Sequence, residues 1–399
     1  MLSLDKVFDA QTVLKSIIRE TNVVKTYGIA PDCDLYLKPE NLQITGSFKV
    51  RGSAYKISQL SAEEKAKGVI ACSAGNHAQG VALAATKNGI KSLICLPDSA
   101  PISKVEATKG YGAEVCLVEG VYDDAYNKAI ELKEKEGYTF VHPFDDEDVI
   151  AGQGTIALEV LNDLDNIDAI VVPVGGGGLI SGIAYTAKHI RPSVKVYGVQ
   201  MTGAPSMYNS IHDGKIETLD TVQTVADGIA VKRPGDNTFE IVKKYVDDIA
   251  LVSEDEVSSA ILALIEKQKM IAEGAGAASV AAVMFNKFDL KGKRVVCIVS
   301  GGNIDVSFIQ CIIEQGLVAR SRRLRFTVTL LDRPGSLGKL LNDIAALGAN
   351  ILSVEHDRLT AGLNPNEIDV HVSCEVGDKA HGDRVRSQLI QSGYHVKID

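Results

Sequence analysis

The chain has 399 residues, enough for two or three domains at roughly 150 residues each, and its 45% hydrophobic and 23% charged content is that of a folded globular protein. Acidic residues outnumber basic ones 51 to 42, a formal charge of −9, so the attraction that drives non-specific nucleic-acid binding is missing. No apolar run approaches the ~20 residues of a membrane span, and Met1–Asp5 lacks the basic-then-apolar pattern of a signal peptide. The seven cysteines form no C-x-x-C pair and mostly sit in apolar runs, so reduced thiols in a cytoplasmic protein are expected.

From about residue 35 to 315, short β-branched runs alternate with helix-length segments. Strands are predicted over 68–72, 91–96, 114–118, 169–174, 195–200, 249–252 and 294–299, with helices over 79–88, 123–136, 179–190 and 254–267. Continuous apolar strands with intervening helices imply parallel sheets covered on both faces. There are too many strands for one compact sheet, so two α/β lobes flanking a small-molecule cleft are expected. The basic, polar stretch 316–323 reads as a linker. Beyond it come a strand over 324–331, the turn Asp332–Gly335 and a helix whose Leu337, Leu340, Leu341 and Ile344 share one face. Strands over 350–358 and 367–374, a helix over 378–390 and a strand over 394–398 complete a βαββαβ order, the ferredoxin-like arrangement.

Four loops carry the candidate chemistry. Gly46-Ser47-Phe48-Lys49-Val50-Arg51-Gly52 presents a lysine near a helix start, a type of residue that is more often simply solvated. Ser73-Ala74-Gly75-Asn76-His77-Ala78-Gln79-Gly80 follows a strand and opens a helix, where backbone N–H groups suit a carboxylate or phosphate; a plain turn capped by Ser73 is the alternative. Gly175-Gly176-Gly177-Gly178-Leu179 follows an apolar strand and lets the backbone close on a phosphate without side-chain obstruction. It is not a dinucleotide fingerprint, since Ile180 stands where the third glycine would fall. Ser300-Gly301-Gly302-Asn303 lies at the end of a predicted parallel strand, where ligands bind in α/β sheets; there Ser300 either faces a ligand or caps a following helix.

In this order and spacing the four loops resemble those of the fold-type-II pyridoxal-phosphate enzymes, most closely the threonine dehydratases (threonine ammonia-lyases), over residues 5 to 315. The tail, with Asp332-Arg333-Pro334-Gly335-Ser336-Leu337 and Gly348-Ala349-Asn350-Ile351, resembles an ACT regulatory domain. The resemblance implies a catalytic domain over 1–315, its small lobe (about 48–150) inserted in a tryptophan synthase β-like large lobe, a linker over 316–323 and an ACT domain over 324–399. It implies pyridoxal 5′-phosphate held by Lys49 as a Schiff base. Phe48 would pack against the ring and Asn76 contact its 3′-oxygen. Gly175, Gly176, Gly177, Gly178 and Leu179 would cradle the phosphate, and Ser300 would face the pyridine nitrogen. Ser73, Gly75, Asn76 and His77 would hold the substrate carboxylate, with Lys49 as the general base at Cα.

The activity implied is dehydration and deamination of L-threonine to 2-oxobutanoate and ammonia, and of L-serine to pyruvate. Isoleucine or valine would bind beside Gly335, Leu337, Asn350 and Ile351, often a domain–domain interface in such tails, if the enzyme serves isoleucine biosynthesis. A degradative, AMP-activated dehydratase and a serine racemase-like enzyme are the alternatives, with a ligand-free dimerisation role for the tail and a sensor with a dead lyase core as further ones. Ala74 counts against racemisation, because racemase relatives carry a serine there that protonates the opposite face of the substrate. Racemase relatives also hold a divalent cation with an acidic residue after the strand over 195–200; here the chain reads Gln200-Met201-Thr202-Gly203-Ala204, so no metal site is expected. Glu273 matches a family acidic position near the cofactor, with helix N-terminal stabilisation as its other reading. A homodimer or homotetramer is expected.

Overall fold

The computed structural model describes residues 1–319, 321–359 and 362–398. The chain divides into two compact units, Met1–Ile304 and Asp305–Asp399.

The first unit holds two sheets. The larger runs β1 (Val24–Lys25), β2 (Asp34–Pro39), β10 (Arg294–Val299), β7 (Ala169–Pro173), β8 (Lys195–Met201) and β9 (Asp248–Val252) in that spatial order. All its pairings are parallel except β1 with β2. The smaller is fully parallel, in the order β5 (Glu114–Val118), β4 (Ser92–Pro97), β3 (Val69–Cys72) and β6 (Thr139–Phe140). Every residue of β3 and of β7 is buried, which is why these strands read as unbroken apolar runs rather than alternating ones. Short β1, β2 and β6 were not among the predicted strands; β1 and β6 are two residues each, too short to show a pattern.

The helix Lys49–Ser58 crosses the helix Glu147–Asp163 at a point where glycines meet. A Cβ on Gly152 would come within 2.7 Å of the Arg51 carbonyl oxygen and 2.8 Å of the Gly52 Cα. The predicted helix over 254–267 is α-helical only over Glu254–Ala263; a π turn, Leu264–Gln268, continues it, ended by Lys269 in the left-handed region at φ +57°.

The second unit begins with the helix Val306–Ala319, so residues 316–319 of the expected linker are helical. It then forms the antiparallel sheet β12 (Asn350–Asp357), β13 (Glu367–Glu375), β11 (Arg323–Leu331) and β14 (His395–Ile398), with helices Ser336–Ala346 and Lys379–Gln391. This is the βαββαβ ferredoxin-like order. Its core is built from alternate strand residues, Phe326, Val328 and Leu330 against Ile368, Val370 and Val372, closed by Leu340, Ile344, Val385 and Leu389.

All seven cysteines are free thiols. Among the described residues no helix is long and apolar enough to cross a membrane.

Candidate active site

Three of the four loops leave the carboxyl ends of parallel strands: Ser73–Gly75 after β3, the tetraglycine after β7, and Ser300–Asn303 after β10, which pairs directly with β7. The fourth, Gly46–Phe48, is tied to the third. The Phe48 N–H donates to the Ser300 carbonyl at 3.0 Å, Ser47 bridges Gly301, and the Gly302 N–H donates to the Gly46 carbonyl at 2.9 Å. No helix starts at Ser300, so the capping reading of that serine fails.

Lys49 is the first residue of its helix, and its amine donates to the Pro143 carbonyl at 2.8 Å. Burial lowers its pKa to about 8, against a smaller opposing pull from the Glu273 carboxylate. A neutral amine is therefore accessible near physiological pH, as nucleophilic and basic lysines require. The Lys49 amine lies 5.4 Å from the centroid of the Phe48 ring, and Phe48 also packs against the core of the larger sheet, which includes Ile170, Val172 and Val296.

The segment His142–Asp145 joins this lysine to the tetraglycine. Pro143 accepts from Lys49, and Phe144 lies on the glycines: a Cβ on Gly176 would come within 2.5 Å of its ring, and one on Gly178 within 2.8 Å of its Cβ and carbonyl oxygen. Gly177 adopts φ +100°, and a Cβ there would meet Met207 at 2.7 Å and Thr238 at 2.8 Å. The Thr238 hydroxyl donates to the Gly176 carbonyl at 2.6 Å. The helix begins at Gly178 with Leu179 behind it, so the N–H groups of its first turn have no intrahelical acceptor. A backbone this enclosed, made of glycine at every position where a side chain would collide, fits a phosphate.

The helix Asn76–Lys87 starts after Gly75, and its N-cap has no side-chain bond. Ser73 does not cap it; its hydroxyl accepts from the Gly75 N–H at 3.1 Å. His77 is buried, its Nε2 bonded to the Val141 carbonyl at 2.8 Å, and burial pushes its pKa down to about 3. The His77 ring is thus neutral and engaged elsewhere, and what this residue offers a carboxylate is its main-chain N–H.

Asn76 is held from both sides. Its Nδ2 donates to Glu273 Oε1 at 2.7 Å, and its Oδ1 accepts from Asn303 Nδ2 at 2.7 Å. Asn303 Nδ2 also donates to the Thr45 carbonyl at 2.7 Å. Glu273 precedes the helix Gly274–Met284 but makes no capping bond. Burial, reinforced by Asp227, raises its pKa to about 7. Sequence reasoning overlooked Asn303 as the partner of Asn76, and overlooked Pro143 and Phe144; the run Val141-His142-Pro143-Phe144, a proline between aromatic rings, was the available signal.

The Ser47 hydroxyl, two residues before Lys49, is buried with no hydrogen-bond partner among the described residues. An orphaned hydroxyl two residues before a lysine with a lowered pKa, and a glycine cradle joined to that lysine through Pro143 and Phe144, fit pyridoxal phosphate. Gln200 is engaged in structure: its amide donates to the Val174 carbonyl at 3.1 Å and accepts from the Tyr208 N–H at 2.8 Å.

In the second unit the four expected effector residues fall at the two ends of one helix. Gly335 and Leu337 lie at the start of the 11-residue helix Ser336–Ala346, whereas Asn350 and Ile351 follow its other end. The helix separates them by about 16 Å.

The chain belongs to the pyridoxal-phosphate dependent enzymes, whose family model matches residues 14–301, and pyridoxal phosphate is its cofactor. It is 48% identical over 400 residues to the L-threonine ammonia-lyase of Thermotoga maritima, covering 100% of both chains. Among solved structures it is similar to the processed threonine deaminase isoform 2 of Solanum lycopersicum (TM-score 0.75, 37% identity, 79% of this chain and 90% of that one). It is also similar to maize serine racemase (TM-score 0.74, 34% identity, 80% of this chain and 99% of that one).

Proposed function

We propose that this chain is a threonine ammonia-lyase that converts L-threonine to 2-oxobutanoate and ammonia and also accepts L-serine. The observation that carries the reading is Lys49, whose amine, with a pKa of about 8, is joined through Pro143 and Phe144 to the glycine cradle. Lys49 would hold the cofactor, the N–H groups of Gly175–Leu179 its phosphate, Asn76 its 3′-oxygen and Ser300 its pyridine nitrogen. When bound, pyridoxal phosphate supplies an electron sink that stabilises negative charge at the substrate Cα. The main-chain N–H groups at Gly75–His77 and the Ser73 hydroxyl would fix the substrate carboxylate. The Lys49 amine, with its lowered pKa, would take the Cα proton as general base. A hydroxyl rather than a carboxylate at Ser300 would leave the pyridine nitrogen largely unprotonated, a setting that would favour prompt loss of the β-hydroxyl.

The similarity to serine racemase makes a racemase the second reading. Ala74 speaks against it, since a methyl group cannot protonate the face opposite Lys49.

For the second unit we propose an ACT-type regulatory role. The relative from Thermotoga maritima spans this unit as well, and the βαββαβ sheet supports it. The separation of Gly335–Leu337 from Asn350–Ile351 means that one amino-acid effector bound within a single copy uses one loop or the other. A cytoplasmic homodimer or homotetramer is the form we propose.

The test is release of 2-oxo acid from L-threonine and L-serine, with and without isoleucine, valine or AMP. Rapid 2-oxobutanoate formation inhibited by isoleucine is the expected result and would mark a biosynthetic enzyme. Activation by AMP with no isoleucine effect would mark a degradative one. Absence of oxo acid, with D-serine appearing from L-serine, would replace the lyase by a racemase.

A further inference from the structure

Arg51 stands two residues beyond Lys49 in the first loop motif, and the chemistry above leaves it without a role. It is fully buried, and all five of its N–H donors are used. Nε donates to Glu40 Oε2 at 2.8 Å; Nη1 donates to Thr155 Oγ1 at 3.1 Å and Glu159 Oε1 at 2.5 Å; Nη2 donates to Glu40 Oε1 and Glu159 Oε2, both at 2.8 Å. Lys38, also fully buried, donates to Glu159 Oε2 at 2.5 Å and to the Thr21 carbonyl, and the Thr21 hydroxyl donates to Glu40 Oε1 at 2.6 Å. Two cations and two carboxylates thus form a neutral, closed cage. Burial opposes ionisation of Glu159, but its bonds to Arg51 and Lys38 outweigh that and hold its pKa below the usual carboxylate range.

The cage joins β2, the turn after it and the helices Lys49–Ser58 and Glu147–Asp163. The helix Lys49–Ser58 needs such an anchor: it has no side-chain cap and no acidic residue in its first turn, so its reactive lysine sits at the end where helices fray. The close approach of Gly52 and Gly152 lies beside the cage, and Glu159 is two turns beyond Gly152 on the same helix. We infer that Arg51 is a positioning residue: its fork, satisfied by Glu40, Glu159 and Thr155, pins the first turn of its helix and so fixes where the Lys49 amine stands. This rests on the proposed role of Lys49. Lysine at position 51 would keep the charge balance but has three donors in place of five and no planar fork.

The test uses the full chain stripped of cofactor. Lys49 is trapped with pyridoxal phosphate and borohydride, and the trapping rate is corrected for the folded fraction read by near-ultraviolet circular dichroism. Arg51→Lys is expected to slow trapping about 10- to 100-fold, and to lower kcat for oxo-acid release similarly while KM stays within about threefold. Thr155→Val, which removes one acceptor and keeps the shape, is expected to slow trapping about two- to fivefold; it decides the matter if Arg51→Lys does not fold. Corrected trapping rates at the wild-type level in whichever of these variants fold would overturn the inference and leave the cage a purely structural feature. A wild-type chain that releases no oxo acid, while Arg51→Lys still slows trapping, would sink the lyase reading and keep the positioning role.

Discussion

Two helices, one in each unit, start from a left-handed glycine with no side-chain cap: Gly177 at φ +100° before Gly178–Ile190, and Gly335 at φ +91° before Ser336–Ala346. The local backbone solution is the same, yet the surroundings are opposite. A Cβ at Gly177 would collide with Met207 and Thr238, whereas one at Gly335 would meet nothing within 4 Å. Thr238 also bonds to the carbonyl of Gly176, so the loop in the core is clamped as well as crowded. Both helices start with first-turn N–H groups that have no intrahelical acceptor, but only the first loop is held in one preorganised arrangement, as a site for a permanently oriented cofactor demands. The second is exposed and open.

The largest effect is expected at Lys49. Lys49→Ala is expected to lower turnover of L-threonine by about 10³-fold or more, since both attachment and proton transfer are lost; steady-state oxo-acid release measures this, with far-ultraviolet circular dichroism unchanged. Gly177→Ala comes next. A non-glycine residue in the left-handed region costs about 1–2 kcal/mol, and here the collisions with Met207 and Thr238 add to it. Cofactor affinity, read by equilibrium titration of the visible absorbance, should fall about 10- to 100-fold.

A smaller effect is expected at Glu273. Its pKa is raised from 4.5 to about 7, so the folded chain holds a proton that the unfolded chain releases. The stability of the cofactor-free protein should therefore fall as pH rises from about 4.5 to about 7. Glu273→Gln removes that decline, and the difference in Tm between variant and wild type should widen across the same window. For Lys49, with its pKa lowered from 10.5 to about 8, the sign reverses and stability should rise between those values. Because the Glu273 carboxylate pulls the Lys49 value upward, the pH midpoint of Lys49 trapping should move below about 8 in Glu273→Gln.

How far the sequence can be read follows the range of each interaction. The loops after β3, β7 and β10 were legible because glycine, serine and asparagine at the carboxyl end of an apolar strand carry their meaning locally. The C-terminal βαββαβ order was legible for the same reason: alternation in the strands and the Leu337, Leu340, Leu341, Ile344 face are short-range patterns. What stayed hidden is long-range. Arg51 finds Glu159 108 positions away, Asn76 finds Glu273 197 positions away, and Asn303 finds Asn76 227 positions away. No periodicity encodes those pairings; only the packing of the two sheets creates them. The same holds for Gly152, whose absent side chain matters only because the Arg51 carbonyl lies against it.

Gly335→Ala is expected to have the smallest effect and to mark the far end of the comparison. The added methyl group has open space, so the penalty reduces to the left-handed backbone of a non-glycine residue, about 1–2 kcal/mol, borne by the C-terminal unit. For a unit of this size that corresponds to about 4–8 °C per kcal/mol in its thermal transition, which calorimetry on the full chain would detect. Cofactor affinity is expected to stay at the wild-type value. Any response to isoleucine that uses Gly335–Leu337 should weaken by no more than about 30-fold, the equivalent of that strain. A Gly335→Ala protein that lost cofactor as readily as Gly177→Ala would mean that the open loop is as constrained as the crowded one, and that the C-terminal unit governs the cofactor site directly.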